Sequence, residues 1–273
     1  MNEYEDWIGF ERRARDVISP RLAEHYKVTL DHILADGLDL PGIQWCLAPD
    51  ALPPADLGRD GHPKTGLFLP KLPLPRRMWA SGDLELAGAL CVGDRVSRTS
   101  TITDIRFKKG RTGDLGFVTV EHCYEVERET RIKERQMIVY RDDPAPDTSP
   151  AVPPKAESWE TVHSVEVATN PTLLFRYSAL TFNGHRIHYD LPYATGVEGY
   201  AGLVVHGPLQ ASWMQNIATT VLGRPPRSFT YRGVSPLICG AQALVEARRN
   251  EDGLELRVRN GQGNFVTMQA SAT

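Results

Sequence analysis

The chain has 273 residues, 41% of them apolar and 24% charged, enough for one large domain or two of ordinary size and too apolar for a globally disordered chain. The 31 Lys and Arg against 34 Asp and Glu leave a net charge of −3, scattered rather than striped, so nucleic acid and anionic membranes are not expected partners. No apolar run follows the acidic Met1–Asp6 opening, none is long enough to span a bilayer, and Cys46, Cys91, Cys123 and Cys239 lack zinc spacing; the expectation is a cytoplasmic protein with reduced thiols.

The first expected element is a helix opening at Ser19-Pro20-Arg21-Leu22, an N-cap residue before a proline suited to the first turn, with Leu22 and Tyr26 on one face. A proline-rich insertion runs from Pro41 to Arg77. Strand composition then recurs over Val96–Phe107, Leu115–Val126 and Ile132–Tyr140, with a turn at Gly110–Asp114. Residues 141–158 hold five prolines and read as a linker, because proline fixes φ and supplies no donor to a helix or sheet interior.

Beyond the linker the pattern repeats. Asn170-Pro171-Thr172-Leu173 with Tyr177 echoes the first helix start, and Leu237-Ile238-Cys239-Gly240-Ala241 echoes Leu90-Cys91-Val92-Gly93-Asp94 ahead of the strands. A second set of strands follows at Ala241–Arg249, Leu254–Arg259 and Phe265–Ala270. Before them, Leu209, Trp213, Ile217 and Val221 recur every four residues, the apolar stripe of a long helix. Two diverged copies of one α+β unit are expected: an N-terminal half over 1–140, the linker at 141–158, and a C-terminal half over 159–273.

Chemistry concentrates in the second copy. Polar and titratable residues crowd Arg176–Asp190, including Asn183, His185, Arg186 and His188, and His206-Gly207-Pro208 stands directly before the long helix. A histidine can accept and return a proton near neutrality. An amide such as Asn183 can hold a water without titrating. Gly207 offers a backbone N–H at the positive end of a helix, suited to an oxygen gaining negative charge, and lets a ligand approach closely. Asp190 fits a local cap.

These residues resemble the MaoC-type, R-specific enoyl-CoA hydratases, whose motif is Asp-x-Asn-Pro-x-His followed by a His-Gly at the start of the central helix. The run Ser178–Asp190 is similar in particular to type-2 3-hydroxyacyl-thioester dehydratases, including hydratases of itaconyl-CoA and mesaconyl-C4-CoA, as are Trp7-Ile8-Gly9 and Pro75-Arg76-Arg77-Met78-Trp79. The resemblance implies a double hotdog fold, two fused halves each with a central helix wrapped by an antiparallel sheet. It implies hydration and dehydration of an acyl-coenzyme A thioester in the C-terminal half, with the insertion shaping the acyl pocket. Because Asn183 stands where the wider family has an aspartate, it implies His188 as the base that draws a proton from a water held by Asn183, with His185 or Asp190 as helpers and Gly207 stabilising the thioester oxygen. Tyr177, His206 and Trp79 are expected to contact substrate, and Arg186 to face a substrate carboxylate. The expected substrates are short, branched and carboxylate-bearing; the alternatives are a fatty 3-hydroxyacyl-thioester dehydratase or, from another class, a hotdog thioesterase or a binding-only module. No cofactor or metal is expected beyond the coenzyme A of the substrate, since the histidine spacing is not that of His-Glu-x-x-His. Arg224, Arg227 and Arg232 are candidates for its phosphates, and a homodimer is an expected assembly.

Overall fold

The computed structural model describes residues 4–37, 39–110, 113–143, 153 and 155–273. Ten strands form one antiparallel sheet: β1 (Glu11–Val17), β2 (Arg76–Leu86), β3 (Arg95–Gly110), β4 (Gly113–Val126), β5 (Glu129–Arg141), β6 (His163–Ala168), β7 (Ser228–Gly233), β8 (Gln242–Arg249), β9 (Leu254–Asn260) and β10 (Phe265–Ala272). The helices are α1 (Pro20–Leu30), α2 (Pro171–Thr181), α3 (Leu191–Gly196) and α4 (Gly207–Leu222).

The strand order, β1-β3-β4-β5-β2-β7-β10-β9-β8-β6, reads the same from either edge once each half is numbered from its own start. Each half is a meander of three long strands flanked by a first strand at the edge and a joining strand at the centre, the double hotdog arrangement. The halves meet where β2 pairs with β7, Gly82 opposite Tyr231. Both outer edges are polar: exposed Glu11, Arg13 and Arg15 alternate along β1, and Ser164 and Glu166 are exposed on β6, which discourages further strand addition.

The two helix starts fold alike. Ser19 Oγ accepts from the Leu22 N–H at 3.1 Å and Asn170 Oδ1 from that of Leu173 at 2.9 Å, each with proline in the first turn. Tyr26 and Tyr177 are both buried one turn later.

After these helices the halves part. In the C-terminal half α4 lies against β7, β8, β9 and β10 and is buried on every side from Leu209 to Thr219. It is therefore a core helix rather than an amphipathic one. Its polar residues are tied inward: Asn216 Nδ2 donates to the Pro41 and Ser212 carbonyls, its Oδ1 accepts from the Ala35 N–H, and Gln210 Oε1 accepts from Thr267. In the N-terminal half no α-helix occupies the corresponding stretch among the described residues; short 3-10 turns at Ile43–Cys46 and Pro54–Asp56 stand there instead. Eight prolines between Pro41 and Pro75 explain the difference, since each removes a donor and disfavours helix in the residue before it. Ile43, Cys46 and Leu47 still enter the main core, and Phe68, Leu72 and Leu74 cover Ile102, Ile105, Val118 and Val120.

Of the expected linker, residues 144–152 and 154 lie outside the described residues, as do Arg111 and Thr112 of the expected turn. Arg141 closes β5, and Lys155 already bridges to Phe265 of β10. Among the described residues no helix is long and apolar enough to cross a membrane, and the four cysteines are unpaired.

Candidate active site

A cavity of about 1990 Å³ opens between the halves, and its walls include Asn183, His185, His188, His206, Gly207, Tyr177 and Trp79. The chain brings these together by three local devices. α2 ends at the left-handed Phe182, φ +48°, and Asn183 Oδ1 then accepts from the His185 N–H at 2.9 Å in a side-chain turn. A 3-10 turn at Arg186–His188 then points His188 inward. Asp190 caps α3 through the Tyr193 N–H at 3.1 Å and holds Arg186 through its other oxygen at 2.7 Å, the local capping role expected for it.

His188 is buried, and its Nδ1–H donates to the Val204 carbonyl at 2.7 Å. A carbonyl only accepts, so this bond fixes the proton on Nδ1. Burial first, and the neighbouring His62 after it, push its pKa down to about 3 against the partial support of that hydrogen bond. His188 is therefore a neutral imidazole near pH 7 with a free lone pair on Nε2, the form a base requires. His206 stacks on it at 3.5 Å and meets Ser178 Oγ at 2.9 Å. Burial and the adjacent histidines hold His206 and His185 below the usual histidine range as well.

Gly207 is the first residue of α4, and its N–H meets no acceptor among the described residues. The helix leaves that donor unsatisfied and puts its positive end there. The absent side chain serves another purpose than expected. A Cβ on Gly207 would stand 2.5 Å from Trp79 Cε3, so the indole, not a ligand, fills the space. Trp79 is itself clamped by stacking on Tyr231 at 4.1 Å and by the edge of Trp45 at 5.7 Å. Tyr177 presents its edge to His206 at 5.1 Å.

Two groups of arginines fall elsewhere than expected. Arg186 is not among the cavity-lining residues: it pairs with Asp190, donates to the Arg59 carbonyl at 3.1 Å and lies over the Tyr193 ring at 4.1 Å. Arg224, Arg227 and Arg232 do not line the cavity either, whereas Lys64 and Arg141 do.

The sequence reading missed Asp60 and His62, and it quoted Arg77 within Pro75–Trp79 without giving it a role. The loop Gly58–His62 reaches over from the N-terminal half and docks on the motif, with the Arg186 N–H donating to the Asp60 carbonyl at 2.9 Å. Gly61 and Gly184 touch backbone to backbone, and a Cβ on Gly61, whose φ is +86°, would run into the Gly184 carbonyl. This seats the His62 ring 4.1 Å from that of His185, which is 5.4 Å from that of His188. The signal available was weak: a short Gly-Arg-Asp-Gly-His-Pro turn inside the proline-rich insertion. Donor atoms of Asp60, His62 and His185 lie within 4.8 Å of one another, as a bound cation would need. Against that, the Asp60 carboxylate already accepts from the His62 side chain and N–H and, at 3.0 Å, from Arg77, whose guanidinium would repel a second cation. The set is built as a hydrogen-bonded carboxylate–imidazole pair.

Comparison with known proteins bears on the fold and the family. A family model described as hydroxyacyl-thioester dehydratase type 2 matches residues 42–239. The chain is 38% identical to a mesaconyl-C(4)-CoA hydratase of Chloroflexus aurantiacus over 94% of its own length and 93% of that protein's. It is 25% identical to the mitochondrial hydroxyacyl-thioester dehydratase type 2 of Saccharomyces cerevisiae over 66% of each chain. Its fold matches a MaoC-like dehydratase from Phytophthora capsici, with a TM-score of 0.68, 15% identity, all of this chain covered and 98% of the other. A Mycobacterium tuberculosis protein described as a double hotdog also matches, with a TM-score of 0.57, 14% identity and coverage of 97% and 95%. With its motif on the wall of the inter-half cavity and its family model spanning most of both halves, the chain belongs to the hydroxyacyl-thioester dehydratase type 2 family and is a hydro-lyase.

Proposed function

We propose that the protein reversibly hydrates a short, branched, carboxylate-bearing enoyl-CoA, itaconyl-CoA or mesaconyl-C4-CoA, to citramalyl-CoA. The observation that carries the reaction type is the neutral His188 with a free Nε2, stacked on the residue that precedes the unengaged Gly207 N–H, inside one cavity. Substrate identity rests on the 38% identical relative and on the Ser178–Asp190 resemblance.

The chemistry follows from those two groups. The thioester oxygen accepts from the Gly207 N–H, which stabilises the charge it gains as an enolate forms. With mesaconyl-C4-CoA, whose double bond is conjugated with the thioester, the α-proton passes between the α-carbon and His188 Nε2. Each contributes roughly 10²–10³-fold or more to the rate. Asn183 Oδ1 accepts from the His185 N–H and keeps a second lone pair, and its Nδ2 can donate, so the amide can hold a water but cannot take its proton.

Incubating the purified protein with itaconyl-CoA, mesaconyl-C4-CoA and unbranched enoyl-CoAs tests this reading. The expected product is heavier by one water, formed fastest from the dicarboxylic acyl groups. Release of free coenzyme A without a hydrated product would overturn it. A second reading, a longer 3-hydroxyacyl thioester as substrate, is favoured by the reach of the cavity past Trp79 to Trp45 and Glu134, and would show as a preference for long unbranched chains.

A further inference from the structure

Dehydration needs two proton transfers, one from the α-carbon and one to the departing β-hydroxyl. His188 accounts for the first. Within the motif Asn183 cannot supply the second, because an amide has no proton to give at neutral pH. The loop docked on the motif carries a group that can.

We infer that Asp60 and His62, brought in by the N-terminal half, form the acid that protonates the leaving hydroxyl, resting on the hydratase reading above. Asp60 is 6% exposed, and its Oδ2 accepts from His62 Nδ1 at 3.1 Å while its Oδ1 accepts from the His62 N–H at 3.1 Å. Arg77 holds the same Oδ2 at 3.0 Å, so the carboxylate cannot turn away from the ring. Burial alone would raise the Asp60 pKa, but His62 and Arg77 outweigh it and hold it well below the usual carboxylate range. A charged carboxylate can only accept, so Nδ1 carries a proton and Nε2 is the ring atom left to exchange one with substrate. His62 lines the cavity and its Nε2 has no partner among the described residues.

The order of the rings sets the division of labour. His206 precedes Gly207, His188 stacks on His206 at 3.5 Å, His185 follows at 5.4 Å and His62 at a further 4.1 Å. In this assignment an acyl chain whose thioester oxygen sits on the Gly207 N–H has its α-carbon at His188 and its β-oxygen toward His62, on the far side of His185. In dehydration His188 Nε2 takes the α-proton and the C–H electron pair forms the enolate. The enolate collapses to the α,β double bond as the β-carbon–oxygen bond breaks, and the oxygen leaves as water with the proton from His62 Nε2. His188 ends protonated and His62 neutral, and exchange with solvent restores both. Hydration is the same path reversed.

A leaving group that needs no proton separates this role from a structural one. His62→Gln should slow dehydration of a 3-hydroxyacyl-CoA by about 100-fold or more, chiefly in kcat, and slow fluoride elimination from the matching 3-fluoroacyl-CoA by less than about tenfold. Asp60→Asn, which keeps the shape of the carboxylate, should show the same split in smaller measure. His188→Gln should slow both reactions alike. Equal losses on both substrates in the His62 and Asp60 variants, no loss on either, or a wild-type enzyme that dehydrates the hydroxy compound but leaves the fluoro compound untouched would overturn the inference. So would a stoichiometric metal in the purified protein whose removal abolishes activity and whose binding is lost in His62→Gln. A wild-type enzyme inert on every 3-hydroxyacyl-CoA and enoyl-CoA would instead overturn the proposed function.

Discussion

The two halves share a strand order, a proline-started helix capped from the preceding residue, and a buried tyrosine one turn on. They differ in what lies between that helix and the joining strand. The C-terminal half has Asn183 to His188 and then the 16-residue α4. The N-terminal half has a proline-rich segment with 3-10 turns and no long helix among its described residues. The difference teaches that the repeated parts make the scaffold and the divergent parts line the candidate site. It also shows that divergence did not leave the N-terminal half idle. Its insertion delivers Asp60 and His62, and its joining strand delivers Trp79 against Gly207.

The sharpest test of the asymmetry is loss of the C-terminal base. His188→Gln removes the free Nε2 while keeping a hydrogen-bonding side chain for the Val204 carbonyl. Hydration should fall by roughly 10²–10⁴-fold, about 3–5 kcal/mol of barrier, with the fold retained by circular dichroism. Near-wild-type kcat would show that the C-terminal half does not carry the base.

The contact between halves should be nearly as sensitive. Gly61→Ala demands a side chain at φ +86° and drives a Cβ into the Gly184 carbonyl, where backbone meets backbone and neither can yield. We expect a loss of about 1–3 kcal/mol in stability together with most of the activity. Gly66→Ala, at φ +93° in the same insertion but with open space around its Cβ, should lose stability without a matching loss of kcat. Equal activity in the two variants would mean that the loop's docking on Gly184 does not matter to the site.

Much of the scaffold was legible in the sequence, and the reasons are local. The strands of both meanders carry β-branched and aromatic runs closed by glycine turns, and the caps at Ser19 and Asn170 need only four residues to read. The joining strands were not legible. In β2, Arg76–Leu86 begins with two arginines and includes Ser81, Gly82 and Asp83, a composition that makes sense only once Arg76 has found Glu198 and Arg77 has found Asp60. The all-round burial of α4 was hidden because Gln210, Ser212 and Asn216 look solvent-facing until their partners are known. Within the site, the run Asn183–His188 was legible because its residues are contiguous. Asp60 and His62 were not, because more than a hundred residues separate them from the motif and only folding brings them to His185.

The cluster should also respond to pH. His185, His188 and His206 all titrate below the ordinary histidine range in the folded protein, His188 at about 3. Between about 3 and the unfolded value near 6.5 the unfolded chain binds more protons, so stability falls as pH falls through that window. Each such histidine contributes on the order of 1 kcal/mol per pH unit there. Urea denaturation at pH 7, 6 and 5 should show this decline, and it should be shallower in His188→Gln. An unchanged slope in that variant would mean that His188 is not held neutral by the fold.

The smallest expected effect concerns Arg186, the residue that the motif alone places against a substrate carboxylate. In the structure its guanidinium is engaged three ways, by Asp190, by the Arg59 carbonyl and by the face of Tyr193. Its side chain is 39% exposed and Asp190's is 25% exposed, so the pair is largely screened and contributes at most about 1 kcal/mol. Arg186→Gln should therefore loosen the seam between the halves slightly and act equally on all substrates. KM for a dicarboxylic enoyl-CoA and for an uncharged one should rise by the same small factor, less than about threefold, well under the tenfold that corresponds to 1.4 kcal/mol. A rise confined to the dicarboxylic substrate would mean that the guanidinium leaves Asp190 when substrate binds. The N-terminal half would then lose its exclusive claim to the cavity's cations, since Arg76, Arg77, Arg98 and Arg141 all come from its strands.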